Sequence, residues 1–232
     1  MIATLLMTFP PMLFGAQLIL TLILVKGDIC PGQRGRIHRT MPVLAILWLA
    51  VCALRVEAFM VLFAIFYFYT HVQTNKTREK GPLWLLYLAA GLAGTFTLML
   101  ALQAPSAAIS LGMLSWLVML GGGLAHVLLV VARTRLQAFH RLLPFAGILA
   151  AMVFALSLLW LTFSLDIDAH PQLLMPIVSL VAMLIVGIIA WCWHLIRQVE
   201  PNQFVIGFGL IVLLGSSSSY LLLNSLVGLS AQ

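Results

Sequence analysis

Charge is what this sequence has least of. Six of its 232 residues are Asp or Glu and 8% are charged in all, whereas a soluble domain carries about a quarter. No water-exposed domain fits that composition. Cysteine is sparse too: Cys30, Cys52 and Cys192 lie far apart with no C-x-x-C spacing, which points to neither a zinc site nor a disulfide framework. Acidic pairs, nucleophile–base sets and metal-ligand spacings are missing from the apolar runs. The chain does not read as a self-sufficient enzyme. Met1-Ile2-Ala3-Thr4 offers no basic n-region, so the first apolar run reads as a mature helix and not as a cleavable signal.

What is present is apolar: 63% of residues are hydrophobic and the mean hydropathy is +1.13. Stretches of about 20 apolar residues recur, each long enough to cross a hydrocarbon core of roughly 30 Å. The fold class is all-α, a polytopic membrane protein. The net charge of +6 and pI near 9.7 do not imply nucleic acid. The basic residues sit in short turns beside hydrophobic segments, where they report orientation.

Two of those turns are alike. Arg34-Gly35-Arg36-Ile37-His38-Arg39-Thr40-Met41-Pro42 and Arg133-Thr134-Arg135-Leu136-Gln137-Ala138-Phe139-His140-Arg141-Leu142-Leu143-Pro144 both read Arg-x-Arg-apolar, a gap, then His-Arg-x-x-Pro. Each follows one apolar run and opens another, with a helix expected to begin at the proline, whose missing N–H costs nothing in a first turn. The repetition predicts a parallel internal repeat: a four-helix half over 1–104 and a second over 105–232.

Eight transmembrane helices are expected. The first covers about 2–25, with a short interfacial piece before Pro10-Pro11, and a basic loop runs to Arg39. The block 41–73 is too long for one span and is broken at Leu54-Arg55-Val56-Glu57, giving helices at about 41–54 and 57–73. Four more follow at about 82–103, 107–132, 142–164 and 172–196, and the eighth ends near Gly228. With 41–73 read as a hairpin, every Lys and Arg except Arg55 falls on one side. By the positive-inside rule that side is cytoplasmic, with both termini outside.

The other face is nearly bare of charge, so Arg55, Glu57, Asp166, Asp168 and His170 stand out. Ionisable groups at membrane depth are functional candidates. Arg55 and Glu57 read first as a hairpin turn at headgroup level and second as a functional pair, in which Glu57 could accept a proton from a quinol with Arg55 orienting it or balancing its charge. The loop carrying Asp166, Asp168 and His170 reads first as a solvated turn and second as a partner-facing surface. His126 and His194 are candidates for haem ligation, with His71 also near an inner end. Haem is not favoured, because His71 and His194 fit an interfacial aromatic belt. Gly121-Gly122-Gly123 permits close helix approach. Ser216 to Ser219 either line a polar path or, the favoured reading, pack and hydrogen-bond between helices.

Pro11-Met12-Leu13-Phe14 with Gln17, Lys26-Gly27-Asp28, Gly112, Met119-Leu120-Gly121-Gly122 and Arg141-Leu142-Leu143-Pro144 occur in an order that resembles the membrane anchor subunits of dimethyl sulfoxide reductase-type enzymes. The resemblance covers most of the chain thinly. It implies an eight-span anchor of a molybdenum-containing respiratory reductase in a bacterial inner membrane, with periplasmic termini. Its substrate would be menaquinol or ubiquinol, and its partners an iron–sulfur subunit and a molybdenum catalytic subunit that carry the metal cofactors. Where that family has a Leu-His-Leu-Gly element, this chain has Leu54-Arg55-Val56-Glu57, so the family's histidine is absent and a quinol site would rest on Arg55 and Glu57. A small transporter of two four-helix repeats, or an assembly scaffold, is the alternative function.

Overall fold

A computed structural model describes residues 2–74, 81–134, 136–164 and 171–230. Among these residues there are helices and no strands: α1 (Ile2–Met7), α2 (Phe9–Lys26), α3 (Pro31–His38), α4 (Met41–Cys52), α5 (Phe59–Thr74), α6 (Leu83–Leu102), α7 (Ala107–Val131), α8 (Gln137–Ser164), α9 (Leu174–Arg197) and α10 (Gln203–Ser230). Six helical stretches are long and apolar enough to cross a membrane: the α1–α2 stretch and α6 to α10.

The block 41–73 is two helices, as its length and the Arg55–Glu57 break predict. Pro42 opens α4 in its first turn. The chain leaves α4 at Cys52, Arg55 is extended, and a single 3-10 turn, Val56–Ala58, leads into α5.

Two expectations need correcting. The basic loop before Arg39 is partly helical: Pro31 starts α3, and the Arg36 Nε–H donates to the Gly32 carbonyl one turn back at 3.4 Å. That helix shows no apolar periodicity, so its pattern was silent. The second proline does not open a helix. Pro144 lies inside α8, which begins at Gln137.

Small residues set the helix crossings. At the α2–α7 crossing, a Cβ on Gly121 would fall 2.7 Å from Gly15 Cα, and one on Gly15 would overlap the Leu117 carbonyl. The two backbones therefore touch with no side chain between them, the close approach that glycine allows within membranes. Gly187 and Gly209 make a similar contact between α9 and α10. Polar ties reinforce this packing. The Tyr220 hydroxyl on α10 donates to the Ala108 carbonyl on α7 at 2.9 Å, and Ser216 Oγ donates to the Leu180 carbonyl at 3.0 Å. Ser216 is thus a packing group.

The two basic turns also meet. An Arg36 Nη1 hydrogen is donated to the Arg133 carbonyl at 2.9 Å. Arg133 ends α7 in the left-handed region (φ 49°), with Thr134 N–H reaching back to Leu129 and Arg133 N–H to Val130. That pair of bonds closes a helix C-terminus.

Candidate functional site

The densest buried polar chemistry among the described residues lies near the basic ends of α7, α8 and α9, and Trp191 organises it. Its indole is buried in a slot made by glycines. A Cβ on Gly147 of α8 would overlap the ring, and one on Gly122 of α7 would meet it at 3.4 Å. From that slot Trp191 Nε1–H donates to His126 Nδ1 on α7 at 2.9 Å. Gly147 is the glycine that the indole requires; within the triplet, Gly121 serves the α2 crossing, Gly122 borders the indole at ordinary contact distance and Gly123 faces Leu210.

His126 is fully buried. Its Nε2 lies 3.1 Å from His140 Nδ1 on α8, and His140 Nε2 lies 3.4 Å from the Thr134 carbonyl. An indole nitrogen only donates, so His126 Nδ1 carries a lone pair. Neutral His126 then holds its hydrogen on Nε2 and donates it to His140 Nδ1. His140 in turn holds its hydrogen on Nε2, facing Thr134. The direction of every bond in the chain Trp191–His126–His140–Thr134 follows from the one donor that cannot reverse.

His194, on the last turn of α9, completes the cluster with its ring 5.2 Å from that of His126 and edge-on to it. Its Nδ1 is 3.1 Å from the Trp191 carbonyl and its Nε2 is 3.0 Å from the His140 carbonyl. Pro144 explains why the second acceptor is available. It has no N–H to offer the carbonyl four residues earlier, which is that of His140, and His194 supplies the missing donor. A residue that looked like a helix start instead frees a buried carbonyl for a neighbouring helix. Beside His194 a small cleft between α9 and α10 is lined by Trp193, Glu200 and Asn202, and Arg197 stacks over Trp193 at 5.2 Å.

The structure thus brings His126 and His194 together and adds His140 and Trp191, which the sequence did not single out for chemistry. The signal for His140 was present: it and His126 stand at similar distances on either side of the turn around Thr134, so antiparallel α7 and α8 bring them level. Both nitrogens of His126 are engaged in hydrogen bonds. His71 is exposed on α5, tilted against Tyr67 at 6.4 Å. His38, the counterpart of His140 in the first basic turn, is buried edge-on to Phe68 at 5.6 Å.

Arg55 is half-buried in its extended segment, and Glu57 is exposed on the 3-10 turn. They sit at the other end of α4 and α5 from the basic turns. Asp166, Asp168 and His170 lie outside the described residues. A second missed feature is on α2: Gln17 and Thr21, one turn apart, are buried, and the Gln17 amide and Thr21 hydroxyl have no hydrogen-bond partner among the described residues.

A family model described as an integral membrane domain matches residues 3–226. The chain belongs to this family. It is an integral membrane protein, as its helices and composition require. A Haemophilus influenzae protein described as uncharacterized is 33% identical over 153 residues, covering 62% of this chain and 57% of that protein. The chain therefore spans little more than half the length of that relative. No solved structure matches.

Proposed function

We propose that this chain is the membrane subunit of a respiratory reductase, oxidising menaquinol or ubiquinol and passing the electrons to an iron–sulfur partner that feeds a molybdenum-containing catalytic subunit. In this reading eight segments cross a bacterial inner membrane, α4 and α5 forming a short hairpin. The basic turns face the cytoplasm and both termini face the periplasm. The order of sequence elements shared with dimethyl sulfoxide reductase-type anchors supports the assignment.

One observation carries the site. Helix α4 has 12 residues, which at 1.5 Å each reach only about 18 Å of a hydrocarbon core of roughly 30 Å. The Arg55–Glu57 turn therefore belongs below the outer surface. There an exposed carboxylate stands beside an exposed apolar stripe on α5, with Phe59, Met60, Phe63 and Phe66. A quinol ring resting on that stripe presents its hydroxyl to Glu57. The carboxylate takes one of the quinol's two protons as the two electrons leave for the partner and then releases it outward, and water takes the other, while the Arg55 guanidinium balances the carboxylate's charge.

Mild-detergent purification of the native complex, with iron and molybdenum analysis, is the first test. A fixed ratio of iron–sulfur and molybdenum subunits is the expected result. In that complex Glu57→Gln abolishes quinol-supported reduction and leaves assembly intact; full activity in the variant refutes the role of Glu57. A chain that purifies alone and metal-free, under conditions that preserve other membrane complexes, overturns the anchor reading. Solute movement in liposomes would then mark it as a transporter.

A further inference from the structure

The histidine cluster at the basic end plays no part in the quinol reading, and its hydrogen-bond inventory is asymmetric. Along Trp191–His126–His140–Thr134 every ring nitrogen already acts as one donor or one acceptor. An added proton anywhere on the two histidines sets N–H against N–H, either at the indole or between the rings. That wire is full.

His194 differs. Both its nitrogens face carbonyl oxygens, which only accept. The His140 carbonyl lacks a helical donor because of Pro144 and claims the hydrogen on Nε2. Neutral His194 then turns the Nδ1 lone pair toward the Trp191 carbonyl, lone pair against lone pair. The imidazolium donates to both oxygens. His194 is also the member of the cluster that borders the cleft with Glu200 and Asn202, at the end of the bundle where the basic turns lie.

We propose that His194 is a proton-binding site, loaded from the aqueous phase at the basic end of the bundle, whose ring nitrogens face carbonyl oxygens and not the rings of the His126–His140 pair. Hydronium gives its proton to Nδ1: an N–H bond forms, an O–H bond breaks, and water leaves. The bound proton then rests against the Trp191 carbonyl within α9, while Nε2–H keeps the bond to the His140 carbonyl of α8 that the neutral ring already makes. The titratable groups that face it are His126 from α7, His140 from α8 and, across the cleft, Glu200 from the turn before α10; Arg197 of α9 lies over the neighbouring Trp193. The site does not depend on quinol chemistry; a chain that never meets a quinol still binds this proton.

The test uses the full chain in lipid nanodiscs with its histidine rings 15N-labelled, observed by solid-state NMR between pH 8 and pH 5. The expected result is one ring that passes from a single protonated nitrogen to two, its signal missing in His194→Gln. Assignment in the wild-type chain comes from dipolar coupling of that ring to a 13C-labelled Trp191 carbonyl, so the result stands even where the variant fails to fold. The ring coupled to the Trp191 indole, His126, keeps one protonated nitrogen, Nε2, throughout. A His194 ring unchanged down to pH 5 overturns the proposal, as does a second proton appearing on His126 before His194.

Discussion

Replacing Gly147 by alanine adds one methyl group to the slot that holds the Trp191 indole. The new Cβ overlaps the six-membered ring, and neither α8 backbone nor a buried indole has a flexible end to move. The ring must shift, and the bond from Nε1–H to His126 Nδ1 at 2.9 Å goes with it. Leaving a buried donor unsatisfied costs about 1–3 kcal/mol, and overpacking a tight contact costs about 1–3 kcal/mol more. Alanine returns up to about 1 kcal/mol of helix propensity. The net expectation is a loss of about 1–6 kcal/mol, read as a lowered unfolding midpoint by circular dichroism in detergent. Two companions make the test specific. Gly207→Ala, on α10 with nothing within 4 Å of the new Cβ, is expected to be neutral or slightly stabilising. Trp191→Phe removes both the larger ring and the donor, so Gly147→Ala is expected to cost less than about 1 kcal/mol in that background, a coupling expected of contacting residues. A Gly147→Ala protein that melts with the wild type, or strict additivity with Trp191→Phe, refutes the slot.

Gln17→Leu removes two buried polar atoms without partners and fills nearly the same volume; a gain of about 1–3 kcal/mol is expected, seen as a higher unfolding midpoint. Tyr220→Phe deletes the bond to the Ala108 carbonyl and is expected to lose about 0.5–1.5 kcal/mol, with the ring packing against Trp116 and Phe154 retained.

The fold was legible wherever a single segment decides its own state. The apolar runs at 82–103 and 107–132 became Leu83–Leu102 and Ala107–Val131, because length and hydropathy fix such helices without help. The break in the 41–73 block was legible for the same reason, as two charged residues cannot continue an apolar span unmarked. Helix α3 was not, since its residues carry no periodic face. Pro144 was misread because proline has two uses. At Pro42 it starts a helix, whereas at Pro144 seven residues already precede it in α8 and its consequence lies in a carbonyl on another turn. The histidine cluster required knowing that α7, α8 and α9 share one end, and that an indole reaches across them. Those are relations between segments, and no local pattern encodes them.

The glycine crossing between α2 and α7 has a mechanical consequence. A slide of α2 by one helical turn would bring Pro11 or Ile19 to the place where Gly15 meets Gly121, and neither side chain fits between two touching backbones. Ratcheting along that seam is blocked. A working cycle built on sliding α2 along α7 by a helical turn is therefore closed to this protein.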